Sequence, residues 1–325
     1  MRLLINRNDI TMTEALLRAS EKREIVAIDI ETVDLDNTLP LGIGVAVAPD
    51  LSFYFFDIHD ELLQNLINQT PTCVFHNVKY DLPILSRYGY AVQNYEDTMI
   101  LAYSNGLLEN KLAELSQSQL HTDCPSVTDQ WTAKQKSNIG IDHVVMGEIC
   151  MIHARNTFNL WQNLPKPDLY YEVDKPVIKL VMEMEEHGIA IDQYRLTQLE
   201  QRTVLKARQL EREIKAELGD INLGSNPQIT KALQAKGILG TRKTKAGKDS
   251  VSDESLKPLH NPIADKILEY RSEMKTISTY VPAFRNIDSK GRIHTSFGYT
   301  ETGRFKSRQP NLQNLTRNDK FEEAE

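Results

Sequence analysis

The chain has 325 residues, 40% hydrophobic and 26% charged, with a formal net charge of −7. That length suits two domains of ordinary size and that balance a soluble globular protein. The acidic excess excludes a surface coated throughout with nucleic acid but leaves room for local basic patches. No apolar run approaches the roughly 18 residues of a membrane helix, and the opening MRLLINRNDITMTEALLRASEKREIV has acids and no cleavage-site pattern, so no signal peptide is expected. Cys73, Cys124 and Cys150 are scattered and odd in number, which fits neither a zinc spacing nor a disulfide framework and suggests a reducing compartment.

In chain order, EIVAIDIET is an apolar, β-branched run that meets acids at its end, so it predicts a strand. LGIGVAVAP and LSFYFFDI are two further strands, joined closely enough through Pro49 and Asp50 to form a hairpin. PTCVFHN predicts a fourth strand, while YDLPILSRYG and DTMILAYSNG have helical spacing. HVVMGEICMIHARNTFNLWQNL predicts a longer helix that stops before Pro165. Strands and helices in this mixed order suggest an α/β or α+β sheet domain over residues 1–165.

Past LPKPD the pattern becomes mostly helical, over residues 166–325. KPVIKLVMEMEEHG reads as a helix ended by Gly188, and YRLTQLEQRTVLKARQLEREIKAELG is long, amphipathic and laced with opposite charges. In SNPQITKALQAKG, Asn226 is expected as the cap and Pro227 as the first helical residue. NPIADKILEYRSEMKTISTY repeats the device with Asn261 and Pro262. GRIHTSFGY then alternates like a strand.

Three segments of the first half could carry chemistry together. Asp29 and Glu31 of AIDIET lie two apart on a predicted strand, so both side chains point to one face. Two carboxylates there repel unless a cation lies between them. Asp81 of FHNVKYD follows another strand, with Asn77 four residues before it. Three acids from different elements could hold two hard divalent cations, the arrangement phosphodiester hydrolysis uses. Read singly, each acid is a solvated strand-end or helix-cap group.

The combination resembles a known pattern. VAIDIETVDLD is similar to the first motif of the DEDD family of 3′→5′ exonucleases, HNVKYDLPIL to the second, and YEDTMILAY to the stretch that follows it in the proofreading domain of family A DNA polymerases. The resemblance implies a ribonuclease H-like α/β fold, with Asp29, Glu31 and Asp81 as ligands of Mg2+ or Mn2+ and Asp97 structural. Asp97 stands directly before a helical run, so its own position fits a helix cap equally well. The third motif should be Tyr-x-x-x-Asp followed by a Thr four residues on. Here those positions hold Ile149 and His153, with Thr157 in register. An imidazole in place of the last carboxylate brings no charge to magnesium, so proofreading is expected to be weakened or lost. His153 is read either as a ligand for manganese, zinc or water-bridged magnesium, or as a polar residue left from a lost site. Tyr170 and Asp174 also satisfy Tyr-x-x-x-Asp, but they precede the next helix at what resembles the start of the polymerase portion, and are rejected as that motif.

The resemblance continues. VMEMEEHGIAID is similar to the family A segment joining exonuclease to thumb, and NPQITKAL, KTKAGKDSVSDESL and ILEYRSEMKTISTYVPAF to the thumb and its tip. Arg242, Lys243, Lys245 and Lys248 lie in RKTKAGK, a stretch without an acid, and would meet duplex phosphates through counterion release. The alternative is a solvated loop. GRIHTSFGYTETGRFKSRQPNLQN resembles the first palm element near the primer terminus, which would place Arg304 in the minor groove beside Lys306. Asn311, Gln313 and Asn314 would contact DNA or brace the palm, or serve turn chemistry after Pro310.

The family's next elements, the palm catalytic acids and fingers helix, do not follow; the acidic NDKFEEAE does. The expectation is therefore the exonuclease and thumb subunit of a split, phage-like polymerase in a bacterial or phage-infected cytoplasm. It would bind primer-template DNA and need a second polypeptide that carries palm and fingers, drawn by an unpaired edge of the palm strand. The rival readings are an autonomous 3′→5′ exonuclease, a non-catalytic DNA-binding assembly subunit, and an interrupted gene product.

Overall fold

A computed structural model describes residues 3–5, 23–33, 39–126, 142–238, 242–243, 247, 249–300 and 302–315. The chain divides into two compact units, Met1–Met182 and Glu183–Glu325. This division falls inside one helix, Lys175–His187, rather than at the composition change near residue 165.

The first unit is built on a six-stranded sheet of order β1-β4-β3-β2-β5-β6. Its strands are β1 (Leu3–Ile5), β2 (Ile25–Thr32), β3 (Pro40–Ala48), β4 (Leu51–Phe55), β5 (Thr72–Phe75) and β6 (Asn94–Asp97). β1, β4, β3 and β2 pair antiparallel, while β2, β5 and β6 pair parallel. The expected hairpin is present as β3 and β4, turned at Pro49 and Asp50. β4 is buried along its whole length, so its run of LSFYF needs no polar alternation.

Helices α1 (Glu61–Gln69), α2 (Val78–Arg87) and α3 (Thr98–Ser104) follow the sheet strands, and a short α4 (Leu112–Leu115) leads into a π-helical turn. α1 and β6 were not expected from the sequence. Asp60 caps α1, accepting from the Leu62 and Leu63 N–H groups. α5 (His143–Asn163) packs across β2, β3 and β4 and ends before Pro165 as expected. It is buried on more than one side because the segment around residues 116–123 covers its back. There Asn156 donates to Ser116 Oγ at 3.0 Å and to the Asp123 carbonyl at 3.1 Å. α6 (Lys175–His187) closes on Gly188, whose φ of +63° lies in the left-handed region.

The second unit holds α7 (Gln193–Leu218), α8 (Asn226–Ala235), α9 (Asp253–Leu256), α10 (Pro262–Lys275) and α11 (Val281–Arg285), with small strands β7 (Ile189–Ala190), β8 (Arg292–Ile293), β9 (Ser296–Tyr299) and β10 (Phe305–Arg308). Leu210 and Ile214 of α7, Ile229 and Leu233 of α8, and Ile263 and Ile267 of α10 form its apolar core. Asn261 caps α10 as expected, accepting from Ile263 and Ala264.

Two expectations are corrected. The cap position of α8 is Ser225, and Asn226 already lies within the helix, where its Oδ1 accepts from Arg271 at 2.9 Å. GRIHTSFGY is not one strand but two, β8 pairing with β7 and β9 with β10. The break comes at Thr295, whose hydroxyl turns inward to the Arg308 and Pro310 carbonyls at 2.9 and 2.8 Å. A period-two pattern carries no signal for such a bend.

Candidate functional site

In the β2–β3 register Asp29 lies opposite Gly44 and Glu31 opposite Gly42, so acids and glycines share one face. α5 covers that face. A Cβ on Gly44 would sit 2.3 Å from the Cys150 carbonyl oxygen, and one on Gly42 would sit 2.2 Å from the Tyr54 ring. The two glycines therefore let α5 and Tyr54 come down close enough for His153 to reach the acids.

His153 Nδ1 stands 3.4 Å from Asp29 Oδ2 and 3.6 Å from Glu31 Oε1. Its Nε2 lies 2.6 Å from the Pro125 carbonyl oxygen. Burial disfavours a charged imidazole, but the Asp29 and Glu31 carboxylates and the neighbouring Cys124 thiol outweigh it and hold His153 well above its ordinary value. Asp29 Oδ2 is enclosed and faces His153 Nδ1. These three side chains form the one metal-ligating group found among the described residues.

Asp81 is near this group but outside it. It is 5% exposed. Burial, followed by the Asp29 charge, pushes its carboxyl well above the usual range, against a hydrogen bond from the Ile30 N–H. The expected set of Asp29, Glu31 and Asp81 is thus drawn differently here, with His153 in closest company with the first two. Ile149, at the position where the pattern calls for Tyr, is buried among Tyr54, Met146 and Cys150. Tyr170 and Asp174 point elsewhere. Tyr170 donates to Glu96 Oε2 at 2.8 Å and accepts from the Asp97 N–H at 2.9 Å, and Asp174 accepts from Ser104.

Asp97 does more than cap one helix. Its carboxylate accepts from Met99 and Ile100 at the start of α3, and from Asn77 and Val78 at the start of α2, the helix that carries Asp81. The second pair of contacts had no signal in the local sequence. Nor did Pro125 and Cys124, which come from a segment that only the fold lays beside α5.

In the second unit, Arg242 pairs with Glu254 and Lys243 with Asp249. Lys245 and Lys248 lie outside the described residues. The stretch lacks an acid in sequence, but the fold supplies two from the flanking segment. Arg304 is exposed in the turn between β9 and β10, and Lys306 lies on β10 opposite Gly298. Gln313 accepts from the Ser307 N–H at 2.9 Å and donates to the Phe305 carbonyl at 3.0 Å, so its amide pairs with β10 as a neighbouring strand would. Asn311 Oδ1 accepts from Gln313 and Asn314 N–H groups, and the Asn314 carbonyl accepts from Tyr280 at 2.6 Å. These contacts are bracing ones.

The comparisons with known proteins agree with this architecture. A family model described as 3′-5′ exonuclease matches residues 6–142, and one described as DNA polymerase family A matches residues 193–324. The chain is 32% identical to DNA polymerase I of Rhizobium leguminosarum over 74% of its own length and 26% of that relative. It is 29% identical to DNA polymerase I of Chloroflexus aurantiacus over 94% of its length and 37% of that relative. It is 31% identical to the thermostable DNA polymerase I of Thermus aquaticus over 72% and 28%. The solved POL domain of Pol1 from M. smegmatis, in complex with DNA primer-template and dNTP, shares its fold with a TM-score of 0.71 at 23% identity, over 93% of this chain and 54% of that one.

The chain belongs to DNA polymerase family A. It carries a 3′→5′ exonuclease region followed by the start of the polymerase region, and spans 26% to 37% of the length of these curated relatives.

Such regions generally use divalent metals. A magnesium pair does not fit the group found here. One of its three members is an imidazole, while Asp81, near enough for the Asp29 and Glu31 charges to raise its carboxyl, lies outside the group of three.

Proposed function

We propose that this chain forms the duplex-holding thumb, the first palm strands and an altered exonuclease site of a family A DNA polymerase, with primer-template DNA as its partner. Residues 1–165 are assigned to the exonuclease-like part and 166–325 to thumb and palm. Magnesium-dependent proofreading is weakened or lost. The observation that carries this reading is the His153 ring, 3.4 Å from Asp29 where the exonuclease pattern has a carboxylate.

Arg304 and Lys306 are the residues proposed to meet the primer-template minor groove and backbone, with Arg242, Lys243, Lys245 and Lys248 on phosphates. Asn311, Gln313 and Asn314 then act mainly by holding the β9–β10 hairpin in shape. Nucleotide addition needs two palm carboxylates that hold magnesium, and no residue of this chain is assigned that role. Palm and fingers come from further sequence or from a second polypeptide. The relatives named above carry the matching region inside longer chains, which favours the former. The chain's place is proposed to be the cytoplasm. No described helix is long and apolar enough to cross a membrane.

The test compares single-strand 3′→5′ hydrolysis in magnesium for the wild type and His153→Asp. Restoring the carboxylate is expected to raise the rate by about 100-fold or more, in keeping with the several kcal/mol that a correctly held metal contributes. A magnesium-supported rate unchanged by the substitution sinks the reading. Primer extension by this chain, alone and mixed with a palm-fingers polypeptide, decides where the missing carboxylates reside.

A further inference from the structure

We infer that a cavity at the rim of the first unit's sheet, between the end of β4 and the end of α2, binds a single amino-bearing nucleobase: adenine, cytosine or guanine rather than thymine. The inference goes beyond the altered exonuclease site and does not rest on it.

The walls of the cavity are the first ground. Its volume is about 280 Å³, room for one small ring system, since drug-sized ligands occupy about 300–1,000 Å³. Buried Gly42 and Ile43 of β3 line its inner side, and Pro40, Phe56, His59 and Tyr88 complete it. The Tyr88 and His59 rings meet at 5.8 Å, while Phe56, 37% exposed, rests against the His143 ring at 5.4 Å. Accessible rings of this kind are the surfaces on which unpaired bases stack.

The second ground is that these walls are held before a ligand arrives. Asp57 Oδ1 accepts from the His59 N–H at 2.9 Å, and the Asp57 carbonyl accepts from the Asp60 N–H at 3.2 Å. Tyr90 donates to the Ile58 carbonyl. Tyr88 closes α2, where Gly89 turns the chain at a φ of +82°. Preordered walls lower the cost of binding.

Polar chemistry is the third ground. No lysine or arginine is among the described residues that line the cavity, so a phosphate finds no partner there, and Asp57 is the one acid. Its Oδ1 is engaged by His59, whereas Oδ2 has no partner among the described residues. A carboxylate oxygen only accepts. It takes a hydrogen readily from an exocyclic amine, as acids do from cytosine in DNA readout. Thymine's one ring N–H is flanked by two carbonyl oxygens that repel it. Position agrees with this assignment. Gly42 lies opposite Glu31 in the β2–β3 register, so the cavity opens at the end of the sheet that carries the acids.

The full chain is titrated calorimetrically with deoxycytidine, deoxyadenosine and thymidine. The first two are expected to bind one equivalent with a Kd of about 0.1–1 mM, the range open to ligands of that size. Thymidine should bind at least about fivefold more weakly. Phe56→Ala and, separately, Tyr88→Ala should each weaken binding about tenfold, with circular dichroism and the urea midpoint checking that each variant folds. Asp57→Asn keeps the acceptor for His59 and makes the free oxygen a donor, so it should erase or invert the preference against thymidine. Short oligodeoxyadenylate and oligothymidylate strands repeat the comparison. A preference for the adenylate strand that Phe56→Ala abolishes identifies an unpaired base of a strand as the ligand; a preference confined to the nucleosides identifies a free nucleoside, and both support the cavity's assignment. Equal binding of the three nucleosides, no saturable binding below about 10 mM, or binding unaltered in Phe56→Ala and Tyr88→Ala overturns it. The His153→Asp nuclease assay touches none of these residues, so the two readings fail separately.

Discussion

Asp29 faces Gly44 across the β2–β3 ladder, and the place a Gly44 Cβ would take is 2.3 Å from the Cys150 carbonyl oxygen. The carboxylate is thus brought under α5 by the smallness of the residue opposite. Gly44→Ala would force the helix backbone outward. The expected cost is about 1–3 kcal/mol, as for other overpacked cores, read as a lower urea midpoint with an unchanged slope. A Gly44→Ala chain with wild-type stability would show that α5 does not press on β3 as described.

Asp97 ties two helix starts to one carboxylate. Asp97→Ala strands four N–H groups and is expected to cost on the order of 2 kcal/mol or more, since a single cap is worth about 0.5–2 kcal/mol. Asp97→Asn keeps Oδ1, which serves Asn77, Met99 and Ile100, and loses only the Val78 contact at Oδ2. It should fall between the wild type and the alanine variant in denaturant titration. Equal losses for the two variants would mean that the charge, not the four contacts, matters.

The thumb-tip cations start out paired. Exposed pairs of this kind are worth little, so phosphates can displace Glu254 and Asp249 from Arg242 and Lys243. Replacing both acids, as Asp249→Asn with Glu254→Gln, is expected to tighten duplex binding several-fold at low salt. Neutralising Arg242 and Lys243 should instead flatten the slope of log affinity against log salt by about two. Fluorescence anisotropy across a salt series checks both, and an unchanged slope would return the loop to solvent.

Cys73 is fully buried, and burial pushes its thiol from the ordinary 9.0 up to about 12. At pH 8 the folded chain should show one rapidly reacting thiol, Cys124, against three after denaturation. The linkage has a definite sign. Above pH 9 the unfolded chain releases a proton that folded Cys73 keeps, so this group lowers stability as pH rises from 9 to about 12. Cys73→Ser should lose that alkaline dependence. Rapid labelling of Cys73 in the folded chain at pH 8 would contradict its burial.

Periodicity and caps made much of the fold legible in advance. AIDIET, the β3–β4 hairpin, the helix that stops before Pro165, and the Asn261 cap all rest on neighbours a few residues apart, where local sterics and backbone hydrogen bonds decide. Ser225 as the α8 cap and the bend at Thr295 were not legible. Each depends on a partner far along the chain, Arg271 for Asn226 and Arg308 for Thr295.

Read along the chain alone, Asp29 and Glu31 share a face, Asp81 follows another strand, and an imidazole stands where the exonuclease pattern has an acid. Spacing along a strand is sufficient for the first two, and the resemblance to the exonuclease motifs supplies the third. Only the tertiary structure decided that His153, rather than Asp81, closes on the two carboxylates, that Pro125 orients its ring, and that Glu254 and Asp249 meet the thumb-tip cations. Those contacts join segments from 6 to more than 100 residues apart, and the distance from His153 to the acids is set by how closely α5 can approach the glycines of β3. Packing determines that approach, and no local pattern encodes it.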